Sequence, residues 1–265
     1  MVDSRICFEA MAELDDLFRL DGRVAIVTGA SSGLGRRFAT VLASAGATVI
    51  ATARRLDRLE ALSAEQQHIH PMACDLSDFD AARHLIRETH ERFGRLDILV
   101  NNAGINDVVP ALEEPLERFE EVLSTNLVAP FVLCQEAARV MIEAGIAGSI
   151  VNIASILGLV GLGQIPGAGY AASKGGLVLL TRELAAQWAR RGVRVNAIAP
   201  GFFPSELTQD LFDRESGRDW VAKRTPMGRG GREHELDGAL VYLASDASTY
   251  VTGQVLTVDG GWTAV

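Results

Sequence analysis

The chain has 265 residues, 48% of them hydrophobic, which is enough to bury one large core as a single α/β domain. Its 34 acidic residues outnumber 25 basic ones, and the formal net charge of -9 disfavours binding to nucleic acid or to an anionic membrane surface. The three cysteines are too few and too scattered for a disulfide framework or a metal site, and every apolar run is shorter than the roughly 20 residues of a membrane helix. We therefore expect a cytoplasmic protein that holds no metal.

Residues 1–20 mix charged and short apolar stretches without a signal-peptide hydrophobic region, so we treat them as an extension before one domain at 21–265. From Arg23 onward, short β-branched runs alternate with amphipathic stretches, which is typical of βαβ units in a parallel sheet. Helix signals between the runs include a capping box that starts at Ser77, a stop at Gly94 and Pro115 in a first turn. The runs predict seven strands, at Val24–Thr28, Ala47–Thr52, His68–Ala73, Leu96–Asn101, Ser149–Ala154, Val193–Ile198 and Val255–Val258.

Two predicted helices have no single apolar stripe. Leu127–Cys134 is apolar without interruption, and Gly175–Leu180 is nonpolar throughout, so each is apolar on every face. Such helices need covering on both sides, either by a partner subunit or by crowding within a large monomer.

A glycine-rich turn follows the first predicted strand. The turn runs from Gly29 through Ser31 and Ser32 to Gly33, Leu34 and Gly35, where a helix begins. Glycines let the backbone approach a pyrophosphate, and a helix N-terminus offers free N–H groups to an anion. The turn therefore predicts a dinucleotide site in a doubly wound, Rossmann-like fold with helices on both faces of the seven-stranded parallel sheet. The alternative is a tight turn that serves only packing.

The end of the second strand bears on which dinucleotide binds. NAD-binding folds place a carboxylate there to accept hydrogen bonds from the adenosine ribose, whereas this chain has Ala53, Arg54 and Arg55. Arginines suit a 2′-phosphate, so the sequence predicts NADP(H) over NAD(H), with one strong cationic contact, from Arg54. The alternative is a solvated arginine face. Asp75 and Leu76, after the third strand, are predicted to border the adenine, although an Asp there can equally begin a turn.

Six short motifs follow one another along the chain. They are the glycine-rich turn, Asn101-Asn102-Ala103-Gly104, Asn126, Ser155, Tyr170-Ala171-Ala172-Ser173-Lys174 and Pro200-Gly201. In order and spacing the chain resembles the short-chain dehydrogenase/reductase family from about Leu20 to its end. Tyr170 and Lys174 are four residues apart, so on a helix their side chains share a face.

The resemblance implies roles for these residues. Tyr170 would be the general acid and base, Lys174 would lower its pKa and hold the nicotinamide ribose, Ser155 would bind the reacting oxygen, and Asn126 would join a proton relay. It also implies cofactor contacts from Asn102, Ala103, Gly104, Pro200, Gly201, Phe203 and Ser205 and assembly as a dimer or tetramer, which we expect to be a homotetramer. Because Pro130 has no N–H, we further expect a helix kink that frees the Asn126 carbonyl for a water next to Lys174.

The segment between Ser155 and Tyr170 is about two residues longer than the family's commoner arrangement, and Leu162, Gln164 and Ile165 are expected to line the substrate pocket. Beyond the sixth strand, Phe202, Phe203 and Trp220 either close over an apolar substrate or pack a lid onto the core.

The expected function is hydride transfer between NADP(H) and a carbonyl or secondary alcohol, on a 3-oxoacyl thioester or on a sugar acid or ketone. Two rivals stand beside it. Similar folds host epimerases and dehydratases, although no large nucleotide-sugar domain follows here. A non-catalytic NADP(H) redox sensor would lack Tyr170 or Lys174, and this chain has both.

Overall fold

The computed structural model describes residues 14–265, so most of the predicted extension, with Cys7, lies outside the described residues. Leu20 is fully buried in the core, and its N–H donates to the carbonyl of Ala45 at 2.8 Å. Packing against the domain therefore includes Leu20, one residue before the predicted boundary.

The predicted fold class is confirmed: seven parallel strands form one sheet in the order β3-β2-β1-β4-β5-β6-β7, with helices on both faces. Each strand lies within two residues of its predicted bounds. They are β1 Val24–Thr28, β2 Thr48–Ala53, β3 Ile69–Ala73, β4 Ile98–Asn101, β5 Ser149–Ile153, β6 Arg194–Pro200 and β7 Val255–Val258.

The longer connections are helical. In chain order the α-helices are α1 Gly33–Ser44, α2 Leu56–Glu65, α3 Phe79–Phe93, α4 Leu116–Leu123, α5 Ala129–Glu143, α6 Ala168–Trp188, α7 Gln209–Phe212, α8 Glu215–Arg224 and α9 Asp237–Ala244. A π-helical turn, Ser124–Val128, joins α4 to α5.

The hydrophobic core has two halves, one on each face of the sheet. Along β1, Ala25 and Val27 pack into the half that contains α1 and α9, while Val24 and Ile26 pack into the half that contains α3, α5 and α6. Successive side chains of a strand point to opposite faces, so a strand covered on both faces must be apolar throughout. This explains why the predicted strands are continuous apolar runs.

One of the three helix signals holds. Gly94 has φ +76° and ends α3 as predicted, whereas Pro115 lies one position before the first turn of α4, as its N-cap residue. The capping box at Ser77 is wrong, because the side chain of Asp78 caps α3 by accepting from Asp80 N and Ala81 N. Ser77 instead donates its N–H and its hydroxyl to Asp75 Oδ1 in an Asx turn, so its side chain does not cap the helix.

The direction of strand order reverses at β1, whose neighbours are β2 on one side and β4 on the other. The crossover helices leave β1 and β4 toward opposite faces, which opens a crevice at the carboxyl ends of these two strands. Thr28 and Asn101 end the two strands and place the turns that follow them at this crevice.

Candidate active site

The glycine-rich turn after β1 has a shape that side chains would not allow. Gly29 and Gly33 have φ +69° and +50°. A Cβ on Gly35 would lie 2.2 Å from the carbonyl oxygen of Gly29 and 2.4 Å from Nδ2 of Asn102. The first turn of α1 therefore packs directly on the backbone below it, and its N-terminal N–H groups face the crevice.

The turn after β4 holds this turn in place. Asn102 N and Ala103 N both donate to Thr28 Oγ1 at 3.0 Å, and Asn102 Nδ2 donates to the Thr28 carbonyl at 2.9 Å. Asn101 lies below, where its amide donates to Asn152 at 2.9 Å in the buried interior. Asn102 and Ala103 thus line the crevice, while Asn101 serves packing.

At the end of β2 the two arginines take different positions. Arg54 is exposed; hydrogen bonds from Ser77, with a smaller contribution from the charge of Arg54, hold the pKa of the Asp75 carboxyl below its usual value. Arg55 turns to the glycine-rich turn, where its Nη2 donates to Ser31 Oγ and Ser32 Oγ at 2.9 Å each. Arg55 thus places a second cation beside the turn, which itself has only serines, and the single cationic contact through Arg54 stays a prediction.

The same cluster contains two residues that the sequence did not indicate. Glu206 accepts from Ser32 Oγ at 2.8 Å, from Arg55 Nη2 at 2.9 Å and from Arg58 Nη1 at 2.6 Å. These contacts hold the pKa of Glu206 well below its usual value, at about 2. We call Ser31, Ser32, Arg55, Arg58 and Glu206 the arginine cluster.

The catalytic candidates meet at the same crevice. Ser155 follows β5, and Tyr170 and Lys174 lie on successive turns of α6. The segment after Ser155 packs on α6 at Gly158, where a Cβ would lie 2.6 Å from the carbonyl oxygen of Lys174. This backbone contact brings Ser155, which is 8% exposed, and Lys174, which is 4% exposed, into one site.

The ammonium of Lys174 donates to the carbonyl of Ile153 at 2.7 Å and lies 5.7 Å from the centre of the Tyr170 ring. Burial lowers the pKa of Lys174 to about 8. Burial also raises the pKa of Tyr170, and the nearby Ser155 side chain offsets only part of that rise. Desolvation of the phenolate thus outweighs the Ser155 hydrogen bond, and a lowering of the tyrosine pKa by Lys174 stays a prediction.

Asn126 is fully buried inside the π-helical turn. Its side chain accepts from Ile105 N at 2.8 Å and donates to Ser173 Oγ at 3.1 Å, which ties the turn to α6. A Cβ on Gly104 would lie 3.1 Å from Asn126 Oδ1 and 3.6 Å from Lys174 Nζ, so the three residues converge. The helix widens into a π turn before Pro130, which lies in the first turn of α5, and the water on the Asn126 carbonyl stays a prediction.

One continuous cavity of about 1330 Å³ runs from the arginine cluster past Tyr170 and Lys174 to Trp220. Leu162, Gln164 and Ile165 line it as expected. The other predicted cofactor residues also line it: Gly29, Ser31, Ser32, Gly33, Leu34, Gly35, Arg54, Arg55, Asp75, Leu76, Asn102, Ala103, Gly104, Pro200, Gly201, Phe203 and Ser205. Asn126 does not reach the cavity and acts from behind it.

The aromatic residues of the segment after β6 divide between the two alternatives, packing onto the core and lining the cavity. Phe203 is 4% exposed and belongs to the core, so it packs the segment down. Phe202, Trp220 and Trp262 stack on one another with ring centres 4.8–5.5 Å apart, and Phe202 and Trp220 line the cavity. Trp262 was not anticipated, because nothing local in the sequence links the chain end to this wall.

Residues 14–265 contain neither a metal-binding cluster nor a membrane-spanning helix. No three His, Cys, Asp or Glu side chains among them are arranged to hold a metal ion. None of the helices in this part of the chain combines the length and apolar character needed to cross a bilayer.

A doubly wound parallel sheet with a glycine-rich turn at its switch point and a Ser, Tyr and Lys beside it defines a dinucleotide-binding oxidoreductase class. A family model described as Enoyl-(Acyl carrier protein) reductase matches residues 29–263. The chain belongs to the short-chain dehydrogenase/reductase family.

Relatives extend over almost the whole chain. The gluconate 5-dehydrogenase of Gluconobacter oxydans (strain 621H) is 41% identical over 252 residues, covering 94% of this chain and 97% of its own. The D-threitol dehydrogenase of Mycolicibacterium smegmatis is 41% identical over 250 residues, covering 93% and 95%. The structure of a gluconate 5-dehydrogenase from Burkholderia cenocepacia J2315 in complex with NADP and tartrate is 39% identical, covers 95% and 99%, and superimposes with a TM-score of 0.91.

Sequence reasoning missed Arg58, Glu206 and Trp262. Arg58 could have been found, because it lies three residues after Arg55 at the start of α2 and such neighbours share a helix face. Glu206 had no such signal, since it is separated from Arg55 by 151 residues.

Proposed function

We propose that the protein is an NADP(H)-dependent oxidoreductase that interconverts a carbonyl and a secondary alcohol. The observation that carries this proposal is the single cavity that joins the glycine-rich turn and two arginines to Ser155, Tyr170 and Lys174. The named relatives are dehydrogenases, and one of them was solved with NADP.

The residues present fit the dinucleotide. Gly35 lets the first turn of α1 pack directly on Gly29, which points the N-terminal N–H groups of this helix at a pyrophosphate in the crevice, and Arg55 with Ser31 and Ser32 provides donors for a 2′-phosphate. When bound, NADPH supplies hydride to the substrate carbon. No carboxylate follows β2, where an NAD-selective site would place one.

The side chains of the chain itself handle the proton. Burial keeps the Tyr170 hydroxyl protonated near neutral pH, so in the reductive direction it can donate to the substrate oxygen. Ser155 can donate a hydrogen bond to the same oxygen, and Lys174 is placed for the nicotinamide ribose beside them. In the oxidative direction the acceptor of the alcohol proton would be the phenolate form of Tyr170, the form that remains after it has donated its proton.

The candidate substrates are a sugar acid, a polyol, a small ketone and a 3-oxoacyl thioester. The sugar-acid and polyol members of this set are favoured by the relatives, one of which was solved with tartrate. Purified protein should oxidise NADPH with at least one carbonyl of this set, followed by absorbance at 340 nm. Tight NADPH binding without turnover of any substrate would instead favour the redox sensor.

Cofactor preference tests the arginine assignment. We expect wild type to prefer NADP(H). Ala53→Asp with Arg54→Ala should reduce the ratio of kcat/KM for NADPH to that for NADH about tenfold to a hundredfold, because a charge-assisted contact contributes about 1.5 to 3 kcal/mol and the new carboxylate repels phosphate. Arg55 remains in that variant, so adding Arg55→Ala should reverse the preference. Steady-state kinetics with both cofactors measure this, and equal use of NAD(H) by wild type would contradict it.

We also propose a homo-oligomer, a dimer or tetramer, whose interface is formed by the two apolar helical segments Leu127–Cys134 and Gly175–Leu180. Part of their apolar surface is covered internally, since Gly176 approaches Leu127 so closely that a Cβ would lie 2.8 Å from Leu127 Cδ2. Val128, Phe131 and Leu179 nevertheless remain 39%, 37% and 65% exposed. Exposed apolar groups on neighbouring helices favour an interface between copies.

Leu179→Glu should therefore shift the protein toward monomer, because a carboxylate buried in an interface is strongly disfavoured. Sedimentation velocity at micromolar concentration measures the shift. Leu14→Glu is the matched control, since Leu14 is 55% exposed outside these helices. A monomeric wild type, or an unchanged Leu179→Glu oligomer, would count against this interface. The cytoplasmic location stays a prediction.

A further inference from the structure

The arginine cluster brings a carboxylate into the place where a 2′-phosphate would need cations. Glu206 belongs to the segment after β6, yet its side chain contacts the glycine-rich turn and the start of α2. Arg55 binds it through two nitrogens, Nη1 to Oε1 at 3.2 Å and Nη2 to Oε2 at 2.9 Å, a fork that suits carboxylate and phosphate alike.

Two of the donors that meet Glu206, Ser32 and Arg55, are donors that the proposed function assigns to the cofactor. Ser32 Oγ and Arg55 lie at the turn. Arg58, in the first turn of α2, is the third donor and lies 2.6 Å from Glu206 Oε1. Among residues 14–265 the ion pairs of Arg55 and Arg58 are both with Glu206. The carboxylate and a 2′-phosphate would thus need the same guanidinium groups.

The backbone next to Glu206 also lies over the turn. A Cβ on Gly33 would come within 3.4 Å of Ser205 Cβ and 4.0 Å of Glu206 N. The Ser205 and Thr208 side chains fix this backbone, with Ser205 N donating to Thr208 Oγ1 at 3.0 Å. Glu206 is therefore held at the cluster by its own segment and not only by attraction to the arginines.

We infer that Glu206 sets cofactor selectivity by competing, as an internal carboxylate, with the 2′-phosphate of NADP(H) for Arg55, Arg58 and Ser32. NAD(H) has no 2′-phosphate and leaves the ion pairs intact, so Glu206 reduces the preference for NADP(H) that the arginines alone would give. The low pKa of Glu206, about 2, means that the competitor stays charged throughout the neutral range. This inference rests on the proposed NADP(H) site.

The test compares Glu206→Gln with wild type in titrations of NADPH and NADH, followed by cofactor fluorescence. Exposed ion pairs contribute little each, so we expect about threefold to tenfold tighter NADPH binding and an unchanged Kd for NADH. Asp213→Asn is the matched control, because Asp213 is an exposed carboxylate of the same segment outside the cavity. Unchanged or weaker NADPH binding by Glu206→Gln would overturn the inference.

Two further measurements separate competition from a general loss of negative charge. In an Arg55→Ala background the gain from Glu206→Gln should shrink by more than half, since the shared partner is gone. In wild type, 2′-AMP should increase hydrogen exchange around residues 205–208, and 5′-AMP should not. A full gain in the Arg55→Ala background, or equal exchange with both nucleotides, contradicts competition. A wild type that binds NADPH no better than NADH would overturn the proposed cofactor itself.

Discussion

Replacing Tyr170 by phenylalanine is expected to lower kcat by about a hundredfold to ten-thousandfold, the usual contribution of a general acid or base. The substitution removes one oxygen from a ring that lines the cavity and leaves the apolar body in place, so the fold and the cavity should persist. The dissociation constant for NADPH should change less than threefold, because this hydroxyl serves the substrate oxygen. Turnover is measured by NADPH absorbance, and binding by its fluorescence.

Tyr250→Phe provides the matched control. Tyr250 is fully exposed, so the same chemical change there should leave both quantities at wild-type values. If Tyr170→Phe retained most of its kcat, another group would have to supply the proton.

Replacing Lys174 by methionine is expected to reduce kcat about a hundredfold or more and to weaken NADPH binding as well. Methionine keeps most of the aliphatic volume but loses the ammonium that donates to the Ile153 carbonyl and faces Tyr170. The two effects together distinguish this variant from Tyr170→Phe, which should affect turnover alone. Lys223, the other of the two lysines in the chain, lies in the exposed α8, and Lys223→Met should retain wild-type kinetics.

The pH profile gives this prediction a second readout. Burial lowers the pKa of Lys174 to about 8, so its ammonium is charged below that pH and is neutral above it. The kcat/KM for reduction by wild type should fall as the pH rises above 8. In Lys174→Met the decrease in kcat/KM above pH 8 should be absent. Only the decrease caused by ionisation of Tyr170, at a much higher pH, should remain. A wild-type profile that stays flat from pH 7 to 10 would show that the charge of Lys174 is not required.

The parts of the site that the sequence predicts are those specified by neighbours along the chain. Tyr170 and Lys174 share a helix face because they are four residues apart, and the strands are visible because a sheet buried on both faces needs apolar residues at every position. The arginine cluster is different, because it combines three distant segments and depends on how the segment after β6 folds over the turn. No periodicity or spacing can indicate such a contact.

The effect of burial on the Tyr170 pKa escapes the sequence for a related reason. Spacing shows that a lysine lies near the tyrosine, but it does not show how the surrounding protein desolvates the phenol, which raises its pKa. Desolvation and attraction act in opposite directions, and only the packed structure decides which is larger. The same holds at the π-helical turn, where Pro130 suggested a kink, and the actual backbone depends on the side-chain bonds of Asn126 to its surroundings.

The glycine-rich turn has its binding shape without help from a ligand. Thr28, Asn102 and Ala103 fix its backbone by three hydrogen bonds of 2.9–3.0 Å, and Gly35 lies against it without free space. A binding loop that is already ordered loses little conformational entropy when it closes on a ligand, so more of the contact energy remains as affinity. Loosening the turn, for example by Asn102→Ala, would therefore weaken the binding of both dinucleotides equally without removing any contact specific to either one.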